Sequence, residues 1–476
     1  MVGLLYTFPD HYDSFFFGLN PLGMHQFQSH FGLGWIPRLG FRGYSRTFRL
    51  LLILLWSGYA LTLLACLRGA RLRQKPLLLS VGVLGFAIAL FAPPLLSTDT
   101  YAYAAHGRIF VLYGHNPYLW LPAGLLEVHD SSAPFLVWNE TTVYGPLWTW
   151  LEIFIAAVLK PYGIWSEVIA FKLLGASALL AAALAGRRIA ARFSPGSENL
   201  TFLAIGLNPL FLLEGPCSGH NDFVLISLLL LGAMSYLDRK YVVAALLLGL
   251  SIGIKPITLA LLPWVLLDYC RGRSWSQRVA GVALGSALVV LPVFLLFAPL
   301  WAGPATLAGM QHRTTYQQSP ADLSAALQLK LWLATHGVKP LLAAAVITIY
   351  QKWMLFALYG TLSLWVWKSK NTASWLTAWA IFSAALMFLF LKPAFPWYIA
   401  WFWPVCLLRW DRWHLTLSAA CLGLSLALTW GYGLVSFSPE SKVHNWITKA
   451  PISSTHTLRL ADIRRRGPLP VYKARC

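Results

Sequence analysis

The chain has 476 residues, of which 58% are hydrophobic and only 11% are charged, whereas a soluble globular protein carries about 25% charged residues. This composition excludes an ordinary soluble domain and predicts an all-α polytopic membrane protein. Lys and Arg outnumber Asp and Glu by 37 to 17, but they cluster in short loops between apolar runs, as the positive-inside rule expects. We therefore expect membrane lipids rather than nucleic acid as partners, since no basic patch lies on a soluble domain.

Residues 1–48 are rich in aromatic side chains, and we expect an interfacial segment there rather than a cleavable signal. Residues 49–432 form the predicted transmembrane domain, and 433–476 form a C-terminal tail. The apolar runs predict helices near 49–67, 77–96, 164–186, 200–214, 222–237, 241–254, 256–269, 279–298, 343–367, 373–391, 398–409 and 414–432.

Basic clusters in the loops between the predicted helices orient the chain in the membrane. They begin at Arg68, Arg187, Arg239, Arg271, Lys368 and Arg409. If all are cytoplasmic, the long loop at 97–145 is external. The apolar segment 146–160 is then a juxtamembrane or re-entrant helix, so that the external region extends over 97–160.

Several apolar segments are shorter than the roughly 20 residues that a spanning helix needs. The two segments on either side of Lys255-Pro256 are of this kind, and so is the one that begins shortly after Lys392-Pro393. Broken helices are tolerated in a membrane where they line a cavity. The short segments therefore predict a binding site near these breaks.

Asp99, in S-T-D-T-Y-A-Y, lies where the predicted helix 77–96 ends and the long loop begins. Apolar neighbours partly desolvate a carboxylate in this position, which raises its pKa toward that of a useful general base. A helix cap or a solvated interfacial charge is the alternative. No D-x-D pair, the arrangement that holds a metal ion in many nucleotide-sugar enzymes, occurs in the chain, and we predict no metal.

The external loop continues with G-R-I-F-V-L-Y-G-H-N-P-Y and W-N-E-T-T-V-Y-G-P-L, whose Gly, Asn and Pro residues predict an ordered loop. Its polar and aromatic side chains are candidates for binding a substrate. They are Tyr101, Tyr103, Arg108, Asn116, Tyr118 and Tyr144. Packing or interfacial anchoring is the alternative for each aromatic residue.

A second polar cluster lies in L-N-P-L-F-L-L-E-G-P-C-S-G-H-N-D, between two apolar helices. Glu214, His220, Asn221 and Asp222 crowd this Gly-rich hairpin. Polar groups at this density between apolar helices are costly unless they are paired or functional, so we predict that they bind a substrate. A metal site is the alternative, although a His with one or two carboxylates at this spacing is a weak ligand signature.

Basic side chains on the predicted external side could bind a phosphate group. Lys255 lies in G-I-K-P and Lys392 in L-K-P-A-F-P-W-Y, while His312 and Arg313 lie in the loop M-Q-H-R-T-T-Y. Cationic side chains suit the phosphate of a lipid. Snorkelling to the headgroups is the alternative for the lysines.

Together these motifs resemble the GT-C glycosyltransferases that use a polyprenyl-phosphate sugar. The resemblance rests on S-T-D-T-Y-A-Y, G-H-N-P-Y, V-Y-G-P-L, E-G-P-C-S-G-H-N-D, G-I-K-P and F-P-W-Y, which run from about residue 80 to 405. The chain is most similar to the bacterial polyprenol-phosphate-mannose-dependent α-1,6-mannosyltransferases that extend the mannan chains of lipoglycans. This family implies a GT-C fold of about 12 transmembrane helices with juxtamembrane helices and a long first external loop.

The resemblance also implies a bacterial plasma membrane, an extracytoplasmic active site and roles for the candidate residues. Asp99 corresponds to the acidic residue of the first external loop, which acts as general base. The residues implied to engage the lipid phosphate are Lys255, His312, Arg313 and Lys392. Trp397 and Tyr398 of F-P-W-Y join the loop and hairpin residues as candidates for sugar or acceptor binding.

The implied reaction transfers mannose with inversion from polyprenyl-phosphate mannose to a glycan or glycolipid acceptor. A phosphate leaves as an anion and needs cations rather than an acid, while the incoming hydroxyl needs a base on the opposite face of the sugar. One carboxylate and a few basic side chains therefore suffice, and no cofactor is expected. No residue decides the sugar, since related enzymes transfer other hexoses and pentoses.

A transporter or lipid-carrier flippase is the competing hypothesis, because it would also contain broken helices and intramembrane charges. A transporter predicts internal pseudo-repeats and charges near the middle of the membrane. Here the charges gather at one face around the external loop, which favours the enzyme. A structural scaffold, the third hypothesis, would have no use for the polar hairpin at 214–222.

Overall fold

The computed structural model describes residues 41–68, 74–92, 94, 97, 99–122, 124–128, 130, 132, 140–307, 329, 332–333, 335–390, 395–411, 414, 416, 418–423 and 425. Most of the predicted N-terminal segment and all of the C-terminal tail lie outside these residues. Three of the predicted phosphate ligands, His312, Arg313 and Lys392, also lie outside them.

The described chain folds as a succession of helices, with no β-strand among the described residues. The α-helices are α1 (Phe41–Leu67), α2 (Gln74–Phe91), α3 (Asp99–Tyr113), α4 (Gly124–Glu127), α5 (Pro146–Leu159), α6 (Ile164–Phe193), α7 (Glu198–Gly206), α8 (Pro209–Leu212), α9 (Asp222–Leu237), α10 (Tyr241–Ile254), α11 (Leu262–Cys270), α12 (Trp275–Phe297), α13 (Pro340–Lys368), α14 (Ser374–Ala385) and α15 (Trp403–Cys406). Short 3-10 helices span Lys160–Tyr162, Pro256–Leu261, Ala298–Leu300, Pro304–Leu307 and Pro396–Trp401, and π-helices span Leu213–Cys217 and Leu386–Phe390. The all-helical prediction is confirmed.

Three helical segments of the described chain are long and apolar enough to cross a membrane, or four if a bent pair counts as one span. The three are Arg49–Leu67, Ile164–Phe193 and Trp275–Leu300. The bent pair joins Glu198–Gly206 to Pro209–Cys217 at an angle of 47°. These apolar helices fit a membrane-associated protein, whereas about twelve spans and the GT-C fold stay predictions.

Helix α6 lies inside the bundle and packs against α2, α3, α7 and α9. Its buried face carries many small side chains, such as Ala176, Ala182 and Ala183. Small residues let neighbouring helices approach closely, which is how helices pack when lipid surrounds them. By contrast, α12 exposes large apolar side chains such as Leu284 and Phe294, a surface suited to lipid.

The helical run is interrupted by proline where polar residues collect. The side chain of Asn208 caps the first turn of α8, and Pro216 lies inside the π-helix that follows. Lys255 has an extended backbone between α10 and the 3-10 helix that begins at Pro256. Because proline has no amide hydrogen, it cannot continue the hydrogen bonding of a helix. The break predicted at Lys255-Pro256 is therefore confirmed, and it forms one wall of the site described below.

The predicted external loop 97–145 contains a helix that the sequence patterns did not indicate, since residues 99–113 form α3. Helix α3 packs against α5 and α6 and buries the rings of Tyr101 and Tyr103. Asp99, Thr100, His106 and Arg108 interrupt its apolar residues, so it lacks the long continuous apolar run that marks a membrane helix. This packing fixes the position of Asp99, the first residue of α3.

Candidate active site

A partly open cleft lies where four parts of the chain meet. These parts are the start of α3, the segment 140–144, the break after α10 and the 3-10 helix near residue 397. Five predicted site residues line this cleft, although they are far apart in the sequence. They are Asp99, Tyr144, Lys255, Trp397 and Tyr398.

Asp99 is the first residue of α3, and its side chain keeps 15% of its surface exposed. Its Oδ2 accepts hydrogen bonds from the hydroxyl of Tyr103 at 3.4 Å and from the hydroxyl of Tyr144 at 3.3 Å. The unpaired amides of a helix N-terminus favour a negative charge at this position. The cleft therefore contains an oriented and partly desolvated carboxylate.

The ring of His220 lies behind Asp99, between two carboxylates. Its Nδ1 is 3.4 Å from Oδ2 of Asp99, and its Nε2 is 3.2 Å from Oε2 of Glu214. The ring is fully buried and stacks on Trp397 with the centroids 4.0 Å apart. The turn needs Gly219, whose φ of +67° is one that glycine adopts without strain. Burial lowers the pKa of His220, but the two carboxylates outweigh burial and raise it to about 9.

Among the described residues that line the cleft, Lys255 supplies an ammonium group, and a buried carboxylate binds it from behind. Its Nζ donates hydrogen bonds of 2.7 Å to both carboxylate oxygens of Asp222, which also accepts a hydrogen bond from the indole of Trp401. Asp222 is fully buried, whereas the Lys255 side chain keeps 12% of its surface exposed. The rings of Tyr144, Tyr398 and Trp401 lie 5.5 to 5.8 Å from Nζ, within range of a cation–π interaction.

A close backbone contact fixes the segment that carries Tyr144. The amide of Gly145 donates a hydrogen bond of 2.8 Å to the carbonyl of Ile254. A Cβ atom on Gly145 would lie 2.4 Å from the carbonyl oxygen of Gly253, so only glycine fits. The hydroxyl of Tyr118 also donates to the carbonyl of Tyr144 at 2.9 Å. These contacts set where the Tyr144 ring enters the cleft.

Several predicted loop residues contribute to packing and do not line the cleft. The side-chain amide of Asn116 donates to the carbonyl of Leu300 at 2.7 Å. The ring of Tyr101 packs edge-on against Trp165, and Tyr103 contacts the site through its hydrogen bond to Asp99 and its edge-on contact with Tyr144. Binding of sugar or acceptor by Tyr101, Tyr103, Asn116 and Tyr118 stays a prediction.

Arg108 also lies outside the cleft, in a buried ionic network. Its Nε and Nη2 donate to Asp130 at 2.9 and 3.0 Å, and its Nη1 donates to Glu167 at 2.7 Å. The hydroxyl of Tyr113 donates to Asp130 at 2.8 Å. Burial raises the pKa of Asp130, but the hydrogen bonds from Arg108 and its other donors lower it to about 2. The network ties Asp130 to α3 and α6, and sugar binding by Arg108 stays a prediction.

The predicted hairpin residues are fully buried and do not line the cleft either. They are Glu214, His220, Asn221 and Asp222. The structure puts His220 and Asp222 in contact with the two charged residues of the cleft, Asp99 and Lys255. Direct contact of the hairpin with a sugar stays a prediction.

Some residues of the site were not singled out from the sequence. His106 lies two turns after Asp99 on the same face of α3 and lines the cleft with Glu140. Its Nδ1 is 3.6 Å from Oε1 of Glu152, which is fully buried on α5. An ionisable residue inside an apolar run is itself a sign of function, and Glu152 in W-L-E-I-F has that property. Trp401 was also not singled out from the sequence, and no comparable sequence feature marks it.

The site has chemical groups that suit transfer of a sugar. Among the residues that the structure describes, no group of three or more His, Cys, Asp or Glu side chains is arranged to hold a metal ion. A carboxylate, an ammonium group and aromatic rings share one cleft, and apolar helices support it. This combination fits the class of membrane-associated glycosyltransferases.

Comparison with known proteins assigns the family. Residues 23–271 match the family model described as "Alpha-(1->6)-mannopyranosyltransferase, N-terminal domain", and the chain belongs to this family. This confirms the resemblance to α-1,6-mannosyltransferases, and the protein is a mannosyltransferase by family.

Relatives in mycobacteria and corynebacteria carry the same description. The chain is 25% identical over 443 residues to alpha-(1->6)-mannopyranosyltransferase A of Mycobacterium tuberculosis. The aligned region covers 87% of this chain and 82% of the relative. It is 28% identical over 238 residues to the protein of that name in Corynebacterium glutamicum, or 46% of each chain. A probable alpha-(1->6)-mannopyranosyltransferase of Mycolicibacterium smegmatis is 35% identical over 148 residues, which is 30% of this chain and 26% of the relative. No solved structure matches significantly.

Proposed function

We propose that the protein transfers mannose from polyprenyl-phosphate mannose to a glycan or glycolipid acceptor, with inversion at the anomeric carbon and Asp99 as general base. The reaction would take place on the extracytoplasmic side of a bacterial plasma membrane. The observation that carries the proposal is the cleft in which the Asp99 carboxylate and the Lys255 ammonium group are both accessible. The family assignment supports mannose as the sugar.

Asp99 suits the role of base because it lines the cleft, where the hydroxyl of a bound acceptor can reach its carboxylate. Its Oδ2 is oriented by the hydroxyls of Tyr103 and Tyr144. General base catalysis by such a group contributes about 10²- to 10⁴-fold to a rate. In the proposed step, the acceptor oxygen forms a bond to the anomeric carbon while its proton passes to Asp99.

Lys255 suits the role of phosphate ligand because its ammonium group lines the cleft and is held at a fixed position. The bond between the anomeric carbon and the phosphate oxygen breaks, and the electron pair leaves with the polyprenyl phosphate. A fixed cation stabilises the charge that develops there. Because Asp222 neutralises part of the charge of Lys255, we propose that His312, Arg313 and Lys392 supply further positive charge.

Single displacement also constrains the donor. The names of the family and its relatives specify an α-(1→6) linkage. Since one displacement inverts the anomeric centre, an α-linked product requires a β-configured mannosyl phosphate as the donor. Tyr144, Trp397 and Tyr398 line the cleft and offer aromatic surfaces for the sugar ring.

The experiment that tests the proposal measures transfer of radiolabelled mannose from polyprenyl-phosphate mannose to a short α-mannoside. Purified wild-type protein is compared with Asp99→Asn, and with Asp238→Asn as the control, because Asp238 lies in a surface ion pair with Arg192. GDP-mannose and polyprenyl-phosphate glucose serve as alternative donors. These donors distinguish the proposed donor from a nucleotide sugar and from another lipid-linked sugar.

We expect transfer from the lipid-linked mannose, a loss of about 10²-fold or more in Asp99→Asn, and full activity in Asp238→Asn. Activity that survives in a folded Asp99→Asn protein would exclude Asp99 as the base. Absence of transfer from every donor would favour the lipid-carrier hypothesis.

A further inference from the structure

A chain of contacts runs from Asp99 through His220 to Glu214, and the proposed mechanism does not use it. The two ring nitrogens of His220 each face a carboxylate, at 3.4 and 3.2 Å. His220 and Glu214 are both fully buried, so neither is placed to touch a substrate in the cleft. Asp99 and Trp397, which both line the cleft, connect this arrangement to it.

A carboxylate as deeply buried as Glu214 is costly unless a positive charge compensates it. An imidazole ring whose two nitrogens each face a carboxylate oxygen is stabilised when both nitrogens carry protons. The ring is also fixed in its plane, because it stacks on Trp397 at 4.0 Å and Trp397 in turn stacks on Phe395 at 4.3 Å. The surroundings therefore favour a charged ring in one orientation.

We infer that His220 is a positioning residue for Asp99: a doubly protonated ring, anchored by Glu214, that orients the Asp99 carboxylate and keeps it ionised between turnovers. This inference rests on the proposed function, since it assigns how the base is kept ready. In this inference Glu214 and His220 act on the reaction through Asp99, and they do not contact the sugar themselves.

The other charged groups near Asp99 do not replace His220. Its own helix presents Tyr103 and His106, the segment 140–144 presents Glu140 and Tyr144, and the hairpin presents Glu214 and Asp222 behind His220. Lys255 shares the cleft, but both oxygens of Asp222 accept hydrogen bonds from its ammonium group. Among the described residues, His220 is the cationic side chain in contact with Asp99.

The protonation of His220 agrees with this geometry. Burial lowers its pKa, but the carboxylates of Asp99 and Glu214 raise it to about 9. The ring then stays charged at neutral pH. An opposite charge at this distance lowers the pKa of a carboxyl group by about one to three units. Removing the charge should therefore make Asp99 take up a proton at a higher pH.

The test compares the pH dependence of kcat/KM for wild-type protein, His220→Gln and the control His414→Gln. His414 also lies beside a carboxylate, but its partner is Asp411, and neither residue lines the cleft. In His220→Gln we expect the pH of half-maximal activity on the acid side to rise by about one unit. We expect His414→Gln to leave that midpoint at its wild-type value.

A titration followed by infrared difference spectroscopy makes the test independent of turnover. The carboxyl band of Asp99 is assigned by subtraction of the spectrum of Asp99→Asn. We expect this band to protonate at a higher pH in His220→Gln than in wild-type protein. If the wild-type protein transfers no sugar from any donor, the proposed function fails, while the titration still decides whether His220 controls Asp99.

An acid midpoint and a carboxyl titration that are both unchanged in folded His220→Gln would overturn the inference. If that variant does not fold, His220→Asn supplies the answer, because it also removes the charge of the ring. Its acid midpoint should likewise rise by about one unit. An acid midpoint at the wild-type value in folded His220→Asn would also overturn the inference.

Discussion

Nζ of Lys255 lies 2.7 Å from both carboxylate oxygens of Asp222, and the two residues join the break after α10 to the first turn of α9. The carboxylate is fully buried, while the amine reaches the cleft. This pair connects the stability of the bundle with the proposed chemistry of the site, because one partner is structural and the other is accessible to a ligand.

Asp222→Ala should destabilise the protein by about 3 kcal/mol, because it leaves the mostly buried ammonium group of Lys255 without its counterion. The measurement is the free energy of unfolding in detergent. Asp238→Ala is the control, since Asp238 pairs with Arg192 through partly exposed side chains and should cost less than about 1 kcal/mol. Equal losses in the two variants would contradict the assignment of a buried pair.

Removing the charge of Lys255 should raise the apparent KM for the lipid donor about tenfold, which corresponds to the loss of one charge-assisted hydrogen bond. The double variant Lys255→Met with Asp222→Asn is preferable to the single one, because it leaves no buried charge unpaired. The KM for the acceptor should stay constant. Lys240→Met, at the other end of α10, controls for the loss of a lysine. A donor KM equal to that of the wild type would remove Lys255 from phosphate binding.

Gly145→Ala should lower transfer about 10²-fold while the protein stays folded. The added Cβ would lie 2.4 Å from the carbonyl oxygen of Gly253 and would push the segment with Tyr144 away from α10. Displacement of a site residue by about 1 Å is enough for a loss of this size. Gly360→Ala is the control, since no atom lies within 4 Å of its Cβ position. Wild-type rates in Gly145→Ala would show that the position of Tyr144 does not matter.

The Arg108–Asp130 pair should make stability depend on pH in the acid range. In the folded protein the pKa of Asp130 is lowered to about 2, whereas in the unfolded chain it is about 3.9. The ionised carboxylate therefore contributes fully to the free energy of unfolding above about pH 3.9, and this contribution is lost as the pH falls toward about 2. Asp130→Asn removes this dependence, so its unfolding temperature should fall less steeply between about pH 4 and pH 2 than that of the wild type. Parallel curves would contradict a native role for the ionised carboxylate.

The general character of the fold could be predicted from the sequence, and so could several parts of the site. Apolar runs predicted helices over 222–237 and 241–254 with the observed bounds, because burial and hydrophobic length are local properties. The break at Lys255-Pro256 was also predictable from local sequence, because proline interrupts the hydrogen bonding of the helical turn that contains it. Asp99 was predictable as a candidate from its place beside an apolar helix.

Other features depended on contacts that no local pattern encodes. Helix α3 forms within a predicted loop because α5 and α6 cover it, and Arg108 lies in an ionic network because the chain folds back to bring Asp130 to it. The roles of His220 and Asp222 were also beyond the sequence, which showed only that polar residues were crowded in the hairpin.

The sequence by itself determined that this protein is apolar, helical and similar to mannosyltransferases, since composition, periodicity and short motifs are written along the chain. Only the tertiary structure decided that His220 faces Asp99 and that Asp222 holds Lys255. Those pairs join residues far apart in the chain, and their distances follow from how the helices pack. Packing depends on the shapes of all the buried side chains together, which no single segment specifies.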